Sequence, residues 1–174
     1  MARNLLRMCT LTLNTVVSVA PIIGVLVAAW ALIYQIRRSR FALNVELSLK
    51  LEDRFNSSDF EKIRSNAARP MLKQQFLLAE NVFDFFDTLG YLVRCKAVDK
   101  EIIWSIFFHW AHGYWSAGSQ YIARRRQNEN DQTLWEDFEY LHNELLKLHR
   151  RKGNRLHSTL LNKKEITEFL EEES

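Results

Sequence analysis

The chain has 174 residues, of which 47% are hydrophobic and 26% charged, and a formal net charge of +3. That length holds one compact domain and little more, and 24 basic against 21 acidic residues leave no global field to gather nucleic acid, which is not expected as a partner. Cys9 and Cys95 form no CxxC pair and lie far apart in the chain, so they are poor disulfide partners.

The first element is the charge-free run Met8 to Ile36, flanked by Arg7 and Arg37. At about 1.5 Å rise per residue, the segment Thr15 to Ile36 matches the hydrocarbon core of a bilayer, roughly 30 Å. Backbone polar groups must be paired in lipid, so a helix is expected despite the β-branched residues. Pro21 lies in its first third. A cleaved signal peptide fits less well, because the apolar centre is long and the site-like Ser18-Val19-Ala20 is followed by Pro21. A soluble core helix fits poorly too, since such helices are seldom apolar on every face.

Residues 1–36 are therefore expected to form a tail and one transmembrane helix. Ala20, Gly24 and Ala28 recur every fourth residue, a spacing that lets two spans approach closely. Trp30 and Tyr34, followed by Arg37, Arg38 and Arg40, are the expected interface anchors. Three arginines directly after the run, against Arg3 and Arg7 before it, place the C-terminal domain in the cytoplasm under an inner membrane. An unpaired Cys95 suits that reducing compartment.

Residues 37–56 are expected to form a helical stalk. Phe41, Leu43, Val45, Leu47, Leu49 and Leu51 alternate as in a strand, but good helix formers and the absence of Gly or Pro favour a helix. Residues 57–152 are expected to form a helical bundle. Ser58 with Glu61 has capping-box spacing, opening a helix from Asp59 to about Ala68, and Pro70 ends it or begins the next. From Glu80 to Lys96, Val82, Phe85, Phe86, Leu89, Leu92 and Val93 share one apolar face, with Asp84 and Asp87 mostly off it.

Asp99 caps a helix from Lys100 to about Arg126. It carries two apolar stripes: Ile103, Phe107, Trp110, Tyr114, Ala117 and Tyr121, then Trp104, Phe108, Ala111, Trp115, Gly118 and Ile122. So wide an apolar arc requires cover on more than one side. Gly113 and Gly118 permit close neighbours. After a polar break at Gln127 to Gln132, Thr133 with Glu136 has capping-box spacing for a helix over Leu134 to Lys152, which ends in basic residues before Gly153. The tail, 153–174, holds an amphipathic piece from Lys163 to Glu172 whose acidic end opposes the helix dipole, so fraying is expected there. The fold class is all-α.

Phe85-Phe86-Asp87-Thr88-Leu89-Gly90-Tyr91-Leu92-Val93, Lys96-Ala97-Val98-Asp99, His112-Gly113-Tyr114-Trp115 and Leu134-Trp135-Glu136-Asp137-Phe138-Glu139-Tyr140-Leu141 together resemble a widespread bacterial family catalogued only as a domain of unknown function. The resemblance covers roughly Gln35 to Leu146 and implies a membrane anchor with an all-α cytoplasmic domain. It transfers no catalytic residue.

Chemistry-bearing patterns are sparse. His109 and His112 are three apart, and His142 and His149 seven apart; a metal would need a further ligand such as Glu139 or Glu144, so packing against Trp110 and Trp115 or solvent is expected. Asp84 and Asp87 have the spacing of paired catalytic carboxylates but also of an ordinary polar helix edge. There is no glycine-rich phosphate loop, GxSxG or HExxH. No cofactor, metal or catalytic residue is therefore assigned. The leading expectation is a membrane-anchored interaction module, not an enzyme, that contacts membrane lipid and binds a second copy or an unknown partner protein. Trp104, Phe108, Trp115, Arg124, Arg125 and Arg126 are its candidate partner surface. Two alternatives stand beside it: an effector or sensor subunit of a bacterial stress or phage-defence system, and an enzyme of unfamiliar mechanism.

Overall fold

The computed structural model describes the backbone of residues 2–153 and 159–174, and the side chains of Val25, of 27–153 and of 159–174. Among the described residues the chain is entirely helical. In order come α1 (Ala2–Phe55), α2 (Ser58–Met71), a 3₁₀ turn (Leu77–Ala79), α3 (Glu80–Arg94), α4 (Lys100–Glu129), α5 (Glu136–Arg151) and α6 (Lys163–Glu172). The chain divides into two units, Met1–Leu43 and Asn44–Ser174.

In the first unit the described side chains of α1 are exposed, among them Val25, Val27, Trp30, Leu32, Ile33, Tyr34 and Ile36. Trp30 stacks on Tyr34 one turn later, with centroids 6.0 Å apart. Arg37, Arg38, Arg40 and Ala28 are also exposed. Most of the side chains of the run Met8 to Ile36, that of Ala20 included, and the surroundings of Gly24 lie outside the described residues, and about half of the expected transmembrane helix falls there. Among the described residues no helix is long and apolar enough to cross a membrane.

The second unit begins inside α1. The strand-like alternation of residues 41–51 is incidental: Ser48 is buried and Asn44, Leu47 and Leu51 are partly buried, at helical spacing, whereas Phe41, Leu43 and Leu49 are exposed. That face leads to Phe55, whose ring is 1% exposed and lies 5.1–5.9 Å from those of Phe60, Phe85, Phe86, Phe107 and Trp110.

Two expected caps are corrected. The N-cap of α2 is Ser57, not Ser58, and its hydroxyl accepts the Phe60 N–H at 3.4 Å. Thr133 and Glu136 make no capping box. Thr133 instead gives its N–H and hydroxyl to Asp131 Oδ1 at 2.8 and 2.6 Å, and α5 starts only after Trp135, whose backbone is left-handed with φ 53°. Burial of the Trp135 ring against Phe83 offsets that strain. The Asp99 cap stands as read, accepting the Glu101 and Ile102 N–H groups.

Three helices end in the same Schellman geometry. After α2, α3 and α4 the left-handed position is held by Gln74, Lys96 and Asn130, and the next residue's N–H returns to Pro70, Leu92 and Arg126 carbonyls respectively. Pro70 therefore sits in the last turn of α2 instead of bounding it.

α3 packs most extensively on α5, α4 crosses α5, and α6 lies on α2 and α4. Both predicted stripes of α4 are buried or half-buried. Their cover comes from within the chain: Tyr114 meets Phe86 and Phe169, Trp115 meets Phe138, and Tyr121 stacks on Phe76 at 4.9 Å.

Candidate functional site

The buried polar chemistry of the second unit gathers along α4. At one place Glu173, just past α6, accepts from the Arg64 guanidinium at 2.7 and 2.9 Å, from Trp110 Nε1 at 3.0 Å and from the Tyr114 hydroxyl at 2.9 Å. The carboxylate and guanidinium side chains are each 11% exposed. Burial and the Glu173 charge push the Tyr114 phenol far above its ordinary range. Arg69 and Ser65 also hold the main-chain oxygen of Ser174. The end of α6 is thus anchored, correcting the expected fraying: the acidic residue that opposes the dipole is ion-paired to α2. The start of α6 carries a capping box of Asn162 and Glu165.

A second group joins α4 to α5. His112 Nδ1 and His142 Nε2 are 3.0 Å apart, and both residues are buried, with His142 2% exposed. One ring nitrogen donates and the other accepts, which requires at least one neutral imidazole. Burial, reinforced by the His112 charge, pushes the His142 imidazole down to about 3, and burial also lowers His112. Trp115 stacks on His142 at 5.5 Å, and Phe108 stacks on both His112 and His149, at 5.4 and 4.1 Å.

The histidines thus pair across helices, not within them. Their sequence positions carried the signal: His112 follows Phe108 by four on the second stripe of α4, and His142 follows Phe138 by four on the buried face of α5. His109 is exposed beside Trp110 and Phe169. Among the described residues no three His, Cys, Asp or Glu side chains are grouped to hold a metal ion.

Asp84 and Asp87 serve structure. Asp84 Oδ1 accepts the Trp135 indole N–H at 2.7 Å, and Asp87 Oδ1 accepts the Phe138 main-chain N–H at 3.0 Å. Asp87 thereby supplies from α3 the cap that Trp135 cannot give α5. Burial raises the Asp87 carboxyl above its ordinary value, against the lowering by that hydrogen bond.

The remaining candidate surface residues divide. Trp115 is 9% exposed and belongs to the interior. Trp104 and Phe108 are half-buried, with the Lys152 ammonium 4.8 Å above the Trp104 ring. Arg125 pairs with Glu80 and Glu129, and Arg126 with Glu139 and the Leu134 carbonyl. Arg124 is exposed and donates only to its own helix, at the Gln120 carbonyl, with no ion pair among the described residues.

Two clefts flank α4. One, of about 470 Å³, is lined by His112, His149, Phe108 and Glu165 among others. The other, of about 460 Å³, lies between the C-terminus of α2, α4 and the beginning of α6, and includes Arg124.

No curated protein and no solved structure matches the chain. A family model does match, over residues 18–145. The match begins inside the charge-free run, seventeen residues before the Gln35 expected from the motifs, ends in α5 one residue before the expected Leu146, and leaves α6 outside. A match over most of the chain makes this protein a member of the family described as Domain of unknown function (DUF4760).

Proposed function

We propose that this protein is a single-pass, membrane-anchored helical module that works by association, with its second unit at the cytoplasmic face of a bacterial inner membrane. It contacts lipid through α1 and acts through self-association or a partner protein, not through catalysis. The observation that carries this reading is the outer end of the charge-free run: from Val27 to Ile36 every side chain is exposed, with Trp30 at 69% and Ile33 at 52%. The exposed side chains from Val27 to Tyr34, apolar or aromatic throughout and followed by Gln35 and Ile36, call for an apolar solvent, and the Trp30–Tyr34 pair lies next to arginines, as at a lipid headgroup boundary.

The aromatic surplus of α4 supplies no support, because the chain's own helices cover it. The association reading rests instead on the spacing of Ala20, Gly24 and Ala28.

Membranes washed with alkaline carbonate should retain the full chain. In intact spheroplasts of a Cys9→Ser variant, a membrane-impermeant maleimide should leave the exposed Cys95 unlabelled until lysis. Release by carbonate removes the anchor reading, and labelling before lysis reverses the orientation. Cross-linking in native membranes should give a discrete higher species that Gly24→Leu diminishes. A strictly monomeric chain leaves only the partner-protein form of the proposal.

A further inference from the structure

The cleft between the end of α2, α4 and the start of α6 brings together two cations that no ion pair among the described residues uses. Its lining is mixed: Leu72, Phe76, Leu161 and Ile166 present apolar surface, and Gln74, Gln120 and Thr167 are among its polar members. Its charged lining residues are Arg124 and Lys163, both exposed at the rim, and no carboxylate lines it. Neither cation has an ion pair among the described residues, although carboxylates neutralise both neighbours of Arg124 in the arginine triplet. Lys163 is the first residue of α6, whose first N–H groups are already taken by the Asn162–Glu165 capping box, so the charge on this side of the rim is that of its own ammonium. In a chain of almost balanced charge, two cations without an ion pair beside accessible apolar side chains, with no carboxylate in the lining, form a locally positive, amphipathic pocket.

The cleft's volume, about 460 Å³, lies within the roughly 300–1,000 Å³ usual for small-molecule sites.

We infer that this cleft binds a single-chain anionic amphiphile: a carboxylate or phosphate-monoester head held by Arg124 and Lys163, with its alkyl chain laid over Leu72, Phe76, Leu161 and Ile166. Arginine and lysine at the rim suit an oxyanion head, the former through its forked N–H groups and the latter as a point charge. The side chains of Leu72, Phe76, Leu161 and Ile166 suit a chain that would otherwise be hydrated. The inference stands on the second unit alone and does not depend on where the run Met8 to Ile36 resides.

The test uses the full chain in phosphatidylcholine nanodiscs and a dodecanoate bearing a diazirine on its alkyl chain. After photolysis, adducts should map to peptides containing 71–76 and 160–170. Excess dodecanoate or dodecyl phosphate should displace the probe and dodecyltrimethylammonium should not; stronger displacement by the carboxylate points to free fatty acid, and by the phosphate to a lysolipid-like source. Reversing both rim charges (Arg124→Glu with Lys163→Glu) should reduce labelling about tenfold or more, the loss of at least one charge-assisted contact. Reversing Lys96 and Arg151, which lie outside the cleft, should leave it unchanged. Ile166→Trp, which fills the apolar part of the cleft without touching the rim, should independently abolish labelling. Equal displacement by the cationic amphiphile, adducts confined to other peptides, or labelling insensitive to both the rim and the Ile166 variants overturns the inference.

Discussion

Gly90 on α3 and the carbonyl of Asp137 on α5 meet backbone to backbone: a Cβ built on Gly90 would fall inside that oxygen, with Leu141 Cβ next at 3.2 Å. The packing of α3 on α5, the most extensive between helices of the domain, depends on the missing side chain. A main-chain carbonyl cannot swing aside as a side chain can, so Gly90→Ala must push α3 and α5 apart. We expect a loss of about 3 kcal/mol or more in urea unfolding. The gain in helix propensity, about 1 kcal/mol, is too small to reverse the sign.

Glu173 neutralises Arg64 and receives the Trp110 and Tyr114 donors in a mostly buried setting. Its removal strands a guanidinium beside the Phe55 ring, 4.3 Å away. Glu173→Ala should destabilise the domain by about 2–4 kcal/mol. Amide hydrogen exchange should accelerate first in α6, whose buried Phe169 and Leu170 depend on that anchor. Glu173→Gln, which keeps an acceptor but not the charge, should fall between.

The His112–His142 pair predicts acid sensitivity. The folded value of His142, about 3, lies below its ordinary 6.5, so between these values the unfolded chain binds the extra proton. Stability is therefore full above pH 6.5 and falls as pH drops towards 3, by at most about 1.4 kcal/mol per pH unit for this one group. The groups facing the pair reinforce or temper this: Arg150 and His149 disfavour further positive charge, while Glu165 favours it. The urea midpoint of His142→Gln should vary less than the wild type's between pH 6.5 and 4.5. An identical slope in the two proteins would remove the pair from the acid response.

Asp87 should behave in the opposite sense. Its carboxyl is raised by burial, so deprotonation costs the folded state more than the unfolded, and its contribution to stability declines as pH rises through the folded value. Asp87→Asn, which keeps an oxygen for the Phe138 N–H without the buried charge, should be neutral or stabilising at pH 7. Asp87→Ala, which uncaps α5, should cost about 1–2 kcal/mol. Equal losses in both variants would mean that the charge itself is required.

Lys96 occupies the left-handed turn after α3 with φ 57° and makes no ion pair among the described residues. Lys96→Gly should stabilise the domain by up to about 1 kcal/mol, because a Cβ is unfavourable at that φ. Thermal unfolding would register this as a rise in midpoint.

Period and composition were enough to identify an all-helical fold and the apolar faces of α3 and α4, while the family, without an assigned activity, was recognised by resemblance in motifs such as Phe85 to Val93 and Leu134 to Leu141. These properties are local: a face repeating every 3.6 residues and a cap at Asp99 depend on neighbours within a turn or two. The stripe Ile103 to Tyr121 was legible because burial follows that period, and the alternation of residues 41–51 misled only in its rhythm, since helical context overrode it. The charge-free run Met8 to Ile36 is equally a property of sequence.

What covers α4 depended on where other helices lie. That His112 would face His142, that Asp87 would cap a helix fifty residues away, and that Glu173 would secure an end expected to fray are pairings between residues 30 to 109 apart in sequence. So too is the lining of one cleft by both Arg124 and Lys163. No local pattern encodes such contacts, because they arise only when backbones approach as closely as Gly90 allows and each buried polar group must then find the partner that geometry leaves within reach.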